Sequence, residues 1–333
     1  MEFTKDTKLR EIVDAPVFAP ARRRLISSAA DYFAGEVGEL TLEGLQEKNP
    51  TWNPEDIIYG LYRLQEVAQS GIQYVYPLYG PEEAAAHPEL QMGQLYYLPA
   101  REQRHKAFAL LMAGGAYGAV CTMGESLPVA AKLNELGVTC FCLNYRTAAP
   151  ESFAAGLMPK PLDDVAAAWR LIRANSVRFD VDPASYAAGG FSAGGHLAAM
   201  WGTAHMGARK YGIPNPKLLL LAYPMVSLEA FQDSPVTEYI KTGLLGKGFT
   251  EEDVRRYSVH RHIDRAYPPV YLVMSTDDDT VALRHSQDME GALNAAGVPN
   301  TMERVSSGGH GFGLGSATPA NGWVERAWTF GNR

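Results

Sequence analysis

The stretch Gly189–His196 constrains the fold of this chain more than any other part of the sequence, and it reads Gly-Gly-Phe-Ser-Ala-Gly-Gly-His. It follows a β-like run, Ser185–Ala188, and precedes an apolar helical run, His196–Trp201. A sharp strand-to-helix turn that strains Ser192 needs small residues two positions before and after it. Such a turn lifts the hydroxyl above a sheet, at the N-terminus of the next helix. Because short motifs recur by chance, the stretch alone could also be an ordinary glycine-rich turn.

Alternating strand and helix patterns begin at about residue 72 and predict a mostly parallel sheet covered by helices on both faces. Several of the strands are continuous apolar runs, which are typical of strands buried on both faces. The predicted strands are Ile72–Tyr76, Gln94–Leu98, Phe108–Met112, Val138–Leu143, Ser185–Ala188, Leu218–Ala222, Val270–Met274 and Thr301–Val305. The predicted helices are Ser126–Leu136, Leu162–Asn175, Gly195–Met206, Leu283–Ala296 and Asn321–Phe330. We therefore expect an α/β fold with a twisted sheet of about eight strands.

Residues 1–71 differ from the rest of the chain, because their apolar residues have helical spacing. This spacing runs from Ala19 to Phe33 and from Trp52 to Gln69. Thr51 or Asn53 can cap the second helix, whose first turn is acidic. We interpret the segment as a small helical appendage. Its apolar face is expected to be buried against the main domain, over the edge of the sheet that carries Ser192, or in a homodimer.

Residues 72–333 are interpreted as one catalytic domain. Within it, residues 225–265 lack strand patterns and interrupt the alternation. An insertion after a late strand can form part of a substrate pocket, because ligands bind at the carboxyl ends of parallel strands. We expect this segment to contribute to substrate binding.

Composition and charge exclude several classes of partner. The net charge of −7 and the isoelectric point near 5.7 give no electrostatic footprint for nucleic acid. No apolar segment reaches the roughly 20 residues of a membrane span, and Met1–Asp6 lacks the apolar core of a secretory signal. Three cysteines cannot all pair within the chain, and Cys140 and Cys142 alternate along one strand face as buried thiols would. We expect a cytoplasmic protein without nucleic-acid or membrane partners.

Candidate partners for Ser192 follow two later strands, in the chain order serine, acid, histidine. A serine hydroxyl becomes nucleophilic when a histidine takes its proton, and a carboxylate orients that histidine. Asp277, Asp278 and Asp279 follow one strand, and His310 lies in the glycine-rich turn after the last strand. The residues alone do not choose among the three aspartates, any two of which could cap the next helix or lie in solvent.

The loop Ala113–Tyr117 is the candidate for the oxyanion hole, in which backbone N–H groups face the charge that develops on a carbonyl oxygen. One donor would be the N–H of Ala193, directly after the serine, and another would come from this loop. Small residues there let the backbone approach a substrate closely. By itself, the loop could also be an ordinary flexible turn.

The remaining histidines suggest other roles. His260 and His262 could ligate a metal, but no third ligand with suitable spacing appears, so no metal or cofactor is predicted. His285 does not lie in a glycine-rich turn after a strand, as His310 does, and it is predicted at the surface. His196 is predicted to open its helix and to have either a packing role or a role in supporting the residues that carry the chemistry.

The run from about residue 94 to 330 resembles α/β-hydrolase esterases of the acetyl esterase and feruloyl-esterase-like group, which is related to the hormone-sensitive lipase family. The matching stretches are Gly114–Tyr117, Asn144–Arg146, Pro161–Val165, Gly190–Ala198 and Gly308–Phe312. The resemblance implies Ser192 as nucleophile, His310 as base and Asp278 as acid. The choice of Asp278 comes from the family's Val and Ser three and eight residues after its acid, which this sequence also has.

The resemblance also implies roles for backbone and bracing groups. Gly114, Gly115 and Ala193 match the oxyanion donors of the family. Arg146 and Asp164 match a pair that braces the loop before the elbow, and a buried ion pair is expected there. The family often has a further glycine where this chain has Ala116, which restricts φ and would narrow the loop.

The resemblance favours the hydrolysis of short-chain acyl esters, acetyl first, through an acyl-enzyme. The implied substrate is a small-molecule ester such as an acetylated oligosaccharide derived from plant polysaccharide. An amidase, peptidase or aryl-formamide hydrolase on the same scaffold stays open, because the triad chemistry is shared. A catalytically inactive α/β-hydrolase that serves as a binding module is the third alternative.

Overall fold

An open eight-stranded sheet forms the centre of the protein in a computed structural model, which describes residues 1–25, 35–231 and 235–331. The strand order is β1-β2-β4-β3-β5-β6-β7-β8. The strands are β1 Val75–Pro77, β2 Gln94–Leu98, β3 Phe108–Met112, β4 Thr139–Asn144, β5 Tyr186–Phe191, β6 Leu218–Ala222, β7 Val270–Ser275 and β8 Asn300–Val305. β2 pairs antiparallel with β1 and β4, and every other neighbouring pair is parallel. The prediction of a mostly parallel sheet of about eight strands is confirmed.

Helices cover both faces of this sheet. The α-helices in the described ranges are α1 Leu9–Asp14, α2 Leu42–Lys48, α3 Pro54–Gln69, α4 Pro81–Ala86, α5 Ser126–Glu135, α6 Ser152–Ala155, α7 Lys160–Ala174, α8 Ser176–Phe179, α9 Ser192–Trp201, α10 Pro235–Leu245, α11 Glu251–Arg256, α12 Leu283–Ala296 and α13 Trp323–Gly331. The helix predicted from Ala19 to Phe33 lies largely outside the described residues, which show a short 3-10 turn at Arg22–Leu25. Of the helices that are described, none combines the length and apolar character needed to cross a membrane.

The junction of β5 and α9 differs from its predicted bounds. The prediction ended the strand at Ala188 and began the helix at Gly195, whereas β5 continues to Phe191 and α9 begins at Ser192 itself. Glycine usually weakens a strand, but here the neighbouring strand comes very close. A Cβ on Gly189 would lie 2.5 Å from Leu111 Cδ2, so the glycine allows the two strands to pack.

The hydrophobic core is divided by the sheet into two layers. One layer buries side chains of α7, α9 and α12, including Leu162, Leu197 and Met289. The other layer buries side chains of α5 and α13 together with apolar side chains from the described part of residues 1–71, including Leu9, Leu42 and Leu61. The N-terminal helices therefore share a core with one face of the sheet, which gives their apolar stripes the burial that their sequence pattern requires.

Helix α3 joins the N-terminal segment to the rest of the chain. It packs against α5, and Gly60 faces the first turn of that helix. A Cβ on Gly60 would lie 2.9 Å from the backbone nitrogen of Pro128 and 3.2 Å from the carbonyl carbon of Leu127. Backbone atoms cannot move aside cheaply, so this crossing requires glycine.

We predict that Gly60→Ala destabilises the protein by about 1–3 kcal/mol, because the added methyl group overpacks the contact between α3 and α5. Gly291→Ala is the matched control, since Gly291 also lies within a helix but has open space where its Cβ would be. That variant should be stabilised by about 0.5–1 kcal/mol through helix propensity. Urea unfolding measures both free energies. Equal effects of the two substitutions would contradict the packing described for α3.

Candidate active site

The β5–α9 turn holds Ser192 in a strained conformation, with φ at +50°. A Cβ on Gly190 would lie 2.1 Å from the carbonyl oxygen of Gly194, and a Cβ on Gly194 would lie 2.1 Å from that of Met112. Both positions therefore need glycine, as the sequence pattern predicts for a sharp turn. The strain is maintained by tight packing against the end of β3, and it presents the serine hydroxyl at the carboxyl edge of the sheet.

Ser192, His310 and Asp278 form one chain of hydrogen bonds. His310 Nε2 lies 2.8 Å from Ser192 Oγ, and His310 Nδ1 lies 2.8 Å from Asp278 Oδ2. The carboxylate of Asp278 is 1% exposed and also accepts hydrogen bonds from the backbone N–H groups of Thr280 and Val281. A buried, ionised Asp278 would hold the proton of His310 on Nδ1, which leaves Nε2 free to accept the serine proton.

The two neighbouring aspartates have different contacts. Asp277 accepts hydrogen bonds from the Ser275 hydroxyl and the Gly309 N–H, which lower the pKa of its carboxyl group. Asp277 therefore holds the turn that carries the histidine. Asp279 accepts a hydrogen bond from the Thr280 hydroxyl at 3.2 Å and is exposed. Of the three aspartates that the sequence offers, the structure brings Asp278 to His310.

The loop after β3 lies beside the serine, but its three predicted donors are not equivalent. The N–H of Gly114, one of the three predicted oxyanion donors, donates to Glu125 Oε2 at 2.5 Å in this structure. Ala193 lies in the first turn of α9, where backbone N–H groups have no acceptor within the helix. The N–H groups of Gly115 and Ala193 remain the candidate donors. Ala116 adopts φ of +52°, so alanine is accommodated where the family often has glycine.

His196, in α9, contacts the loop Ala113–Tyr117. It is fully buried, and the hydroxyl of Tyr117 lies 2.7 Å from its Nδ1. Its Nε2 lies 2.7 Å from the carbonyl oxygen of Tyr257, which requires Nε2 to carry the proton. Burial lowers the pKa of His196 to about 4, so the ring is neutral and accepts a hydrogen bond from Tyr117. His196 thereby ties the oxyanion loop to α9.

Sequence reasoning missed Glu125, which follows Gly124 just before α5. It is 4% exposed, and its two carboxylate oxygens accept hydrogen bonds from the Gly114 N–H and the Tyr223 hydroxyl. Burial raises the pKa of Glu125 to about 7. A single acidic residue within the otherwise uncharged stretch 107–131 is the pattern that could have indicated it.

The N-terminal segment reaches the histidine loop directly. Thr51 donates its hydroxyl proton to the carbonyl oxygen of His310, with 2.5 Å between the oxygens. The cap of α3 is Asn53, whose side chain accepts from the Glu55 N–H. Of the two caps that the sequence allows, Asn53 is therefore the one used, and Thr51 contacts the site instead. Asp56 fixes the same loop further on by accepting the backbone N–H and the hydroxyl of Ser316.

The structure also places the predicted ion pair and the other histidines. The predicted ion pair is confirmed, because Arg146 Nε lies 2.9 Å from the fully buried carboxylate of Asp164. The prediction that His285 lies at the surface is wrong, since it is 1% exposed and its Nδ1 accepts from the Ser227 N–H. His260 lies 3.2 Å from Glu229. Within the described ranges, no group of three or more His, Cys, Asp or Glu side chains is arranged to hold a metal ion.

The segments after β4 and β6 meet at the carboxyl edge of the sheet. The N–H groups of Leu157 and Met158 donate to the carbonyl oxygen of Leu244, and Lys247 N–H donates to Phe153. The first of these segments also reaches the oxyanion loop, because Ala148 N–H donates to the Tyr117 carbonyl at 2.7 Å. Since β3 and β5 lie between β4 and β6, the joined segments lie beside the loops that carry Gly115 and Ser192.

Comparison with known proteins gives one family and several relatives. The family model described as BD-FAE matches residues 95–293. Endo-1,4-beta-xylanase B of Butyrivibrio fibrisolvens is 25% identical over 221 residues, which cover 64% of this chain and 34% of that protein. The acetylxylan esterase of Xylanibacter ruminicola is 26% identical over 207 residues, which cover 61% of this chain and 40% of that protein. The chain thus matches about a third and two fifths of the length of these curated relatives.

Among solved structures, the chain is similar to an acetyl ester-xyloside bifunctional hydrolase from Caldicellulosiruptor lactoaceticus. The TM-score is 0.65 with 28% sequence identity, and the match covers 77% of this chain and 94% of that one. A carboxylesterase from Lactobacillus plantarum matches at a TM-score of 0.56 with 20% identity and covers 70% of this chain and 82% of its own. At that identity, the second likeness supports the fold alone.

We predict that Thr51→Val lowers kcat by roughly 3- to 10-fold with little change in KM, because His310 loses a hydrogen bond worth about 0.5–1.5 kcal/mol. Valine keeps the branched shape of threonine, so packing against Gly309 should persist. Thr203→Val is the matched control, since Thr203 is buried and its hydroxyl donates to the Met200 carbonyl in α9. The control should lose thermal stability and keep kcat. Steady-state ester hydrolysis and thermal melting test both, and an unchanged kcat in Thr51→Val would contradict the proposed support of His310.

Proposed function

Because the chain belongs to the BD-FAE family of α/β-hydrolase esterases, we propose that it is a serine carboxylesterase that removes short acyl groups, acetyl first, from sugar esters. The observation that carries this proposal is the unbroken hydrogen-bonded chain from Asp278 through His310 to Ser192. It lies beside the N–H groups of Gly115 and Ala193. Nucleophile, base, orienting acid and oxyanion donors are the parts that acyl transfer needs.

In the proposed mechanism, Ser192 Oγ attacks the acyl carbon while its proton moves to His310 Nε2. The carbonyl oxygen becomes an oxyanion, which accepts hydrogen bonds from Gly115 and Ala193. His310 then gives the proton to the departing alcohol oxygen, and the acyl group stays on the serine. Water attacks this acyl-enzyme as His310 takes its proton. His310 then returns that proton to Ser192 Oγ as the bond between the serine and the acyl carbon breaks, and the acid is released. Asp278 stays ionised throughout and orients the imidazole.

Relatives support the choice of substrate class. One relative is an acetylxylan esterase, and a structural neighbour is an acetyl ester-xyloside hydrolase. Both names mention an acetyl group together with xylan or a xyloside, and the second is that of a bifunctional hydrolase. We therefore propose acetylated oligosaccharides, and xylose-based ones first, as the natural small-molecule esters.

We further propose that the protein works in the cytoplasm, on oligosaccharides rather than on intact polymer. Cys121, Cys140 and Cys142 are free thiols, which is usual for proteins of a reducing compartment. Cell fractionation of the source organism would test this address.

We predict that the purified protein hydrolyses acetyl and propionyl esters and releases acetate from acetylated xylo-oligosaccharides. Ser192→Ala should lower kcat by roughly 10⁶-fold, to the background rate, because the acyl-enzyme cannot form. The panel includes long-chain acyl esters, an anilide and an aryl-formamide. Faster turnover of the amides or the long-chain esters would contradict the proposed specificity. Failure of a fluorophosphonate probe to label Ser192 in folded protein would indicate an inactive binding module.

The three aspartates give a second prediction. Asp278→Asn should lower kcat by about 10⁴-fold, because an amide no longer holds His310 in its productive tautomer. Asp279→Asn changes the same chemical group one position along in an exposed side chain, and it should leave kcat near the wild-type value. Equal losses in both variants would contradict the role given to Asp278. Steady-state kinetics on an acetyl ester measure both.

A further inference from the structure

We propose that Glu125 is a positioning residue that aligns the oxyanion loop with the loop after His310, through one hydrogen bond from each of its two carboxylate oxygens. The inference rests on the proposed serine esterase function, since it assigns how the parts of that site are held together. The hydrogen-bond partners of Glu125 are Gly114 and Tyr223, which lie beside the serine and the histidine.

The first contact fixes the oxyanion loop. Glu125 Oε2 accepts the N–H of Gly114 at 2.5 Å, directly before the candidate donor Gly115. A Cβ on Gly114 would lie 2.8 Å from Ser192 Cβ and 3.1 Å from Glu125 Oε2. Gly114 is therefore held between the serine and the glutamate, and any shift of the carboxylate moves the N–H that follows.

The second contact leads to the histidine loop. Glu125 Oε1 accepts the hydroxyl of Tyr223 at 3.1 Å, and the Tyr223 oxygen accepts the Gly313 N–H at 3.0 Å. The ring of Tyr223 packs edge-on against that of His310, with 5.0 Å between centroids. One carboxylate thus connects the loop after β3, the end of β6 and the turn three residues beyond the base.

The charge state of Glu125 follows from its surroundings. Its side chain is buried, and the ionisable groups that face it are His310, Tyr223, Tyr145 and Cys121. None of these four is a permanent cation. Burial raises the pKa of Glu125 to about 7, opposed by the Gly114 N–H, the charge of His310 and the Tyr223 hydroxyl.

The ionised carboxylate satisfies the observed hydrogen bonds as they stand. As an acceptor on both oxygens, it receives the Gly114 N–H and the Tyr223 O–H while Tyr223 receives the Gly313 N–H. Protonation of Glu125 would add a proton that needs an acceptor in this buried cluster, where the Gly114 N–H and the Gly313 N–H can only donate. Since the pKa is raised, the ionised and aligned form is present above about pH 7 and is lost as the pH falls through that value.

Glu125→Gln is the central test, because glutamine copies the shape and the hydrogen-bond pattern of the protonated acid. We expect kcat on an acetyl ester to fall by roughly 3- to 10-fold at pH 8, with KM unchanged. The acid limb of the pH–kcat profile should lose the ionisation that Glu125 contributes in the wild type. Glu125→Ala should lower kcat further, by about 10- to 100-fold, as the Gly114 N–H is left unpaired.

Tyr223→Phe and Tyr79→Phe separate positioning from stability. Each substitution removes a phenol that donates to a buried carboxylate, Glu125 in the first case and Asp164 in the second. Both variants should lose thermal stability. Tyr223→Phe should also lower kcat and shift the acid limb of the pH–kcat profile. Tyr79→Phe should keep the wild-type kcat and the wild-type pH–kcat profile.

Two results would overturn the proposal. One is a Glu125→Gln enzyme whose acid limb has the same slope and midpoint as the wild type. The other is a folded Glu125→Ala enzyme with wild-type kcat. Wild-type ester hydrolysis that depends on Ser192 is measured in the same assay, so failure of the esterase function itself is distinguished from failure of the role given to Glu125.

Discussion

The candidate site depends on one close contact, between the β5–α9 turn and the end of β3. Gly194 lies so near the carbonyl oxygen of Met112 that no side chain fits, and Ser192 is held at a positive φ next to this contact. The same approach places the serine beside the loop that begins at Ala113. Ser192 and the candidate oxyanion donors are thus positioned by backbone packing.

Buried polar groups then hold the loops that packing alone would leave free. His196 fixes Tyr117 from α9, and Glu125 fixes Gly114 from the start of α5. Thr51 and Asp56 hold the loop of His310 from the N-terminal segment. The N-terminal segment therefore contributes to the site through Thr51 and Asp56, which contact the loop of His310. The segments after β4 and β6 contact each other, and the first of them contacts the oxyanion loop.

Much of the fold follows from local patterns, whereas the supports of the site do not. Continuous apolar runs such as Leu218–Ala222 predict buried strands, and their bounds agree with the structure. The predicted strand ends at Ala188 because glycine is uncommon within strands, whereas β5 continues through Gly189 and Gly190 to Phe191. The family resemblance selects Asp278 as the candidate acid, whereas the residue pattern alone does not distinguish it from Asp277 and Asp279. Thr51 contacts His310, 259 positions away, and Glu125 contacts Tyr223, 98 positions away, and periodicity carries no information about such pairs.

The bond between Thr51 and His310 joins residues 259 positions apart, and Asp56 and Ser316 are 260 apart. During synthesis, the N-terminal helices are available long before the strand and loop that they will contact. Long-range contacts of this kind form late, after the local ones. The loop of His310 can therefore make these contacts only after β8 and the residues that follow it have been synthesised.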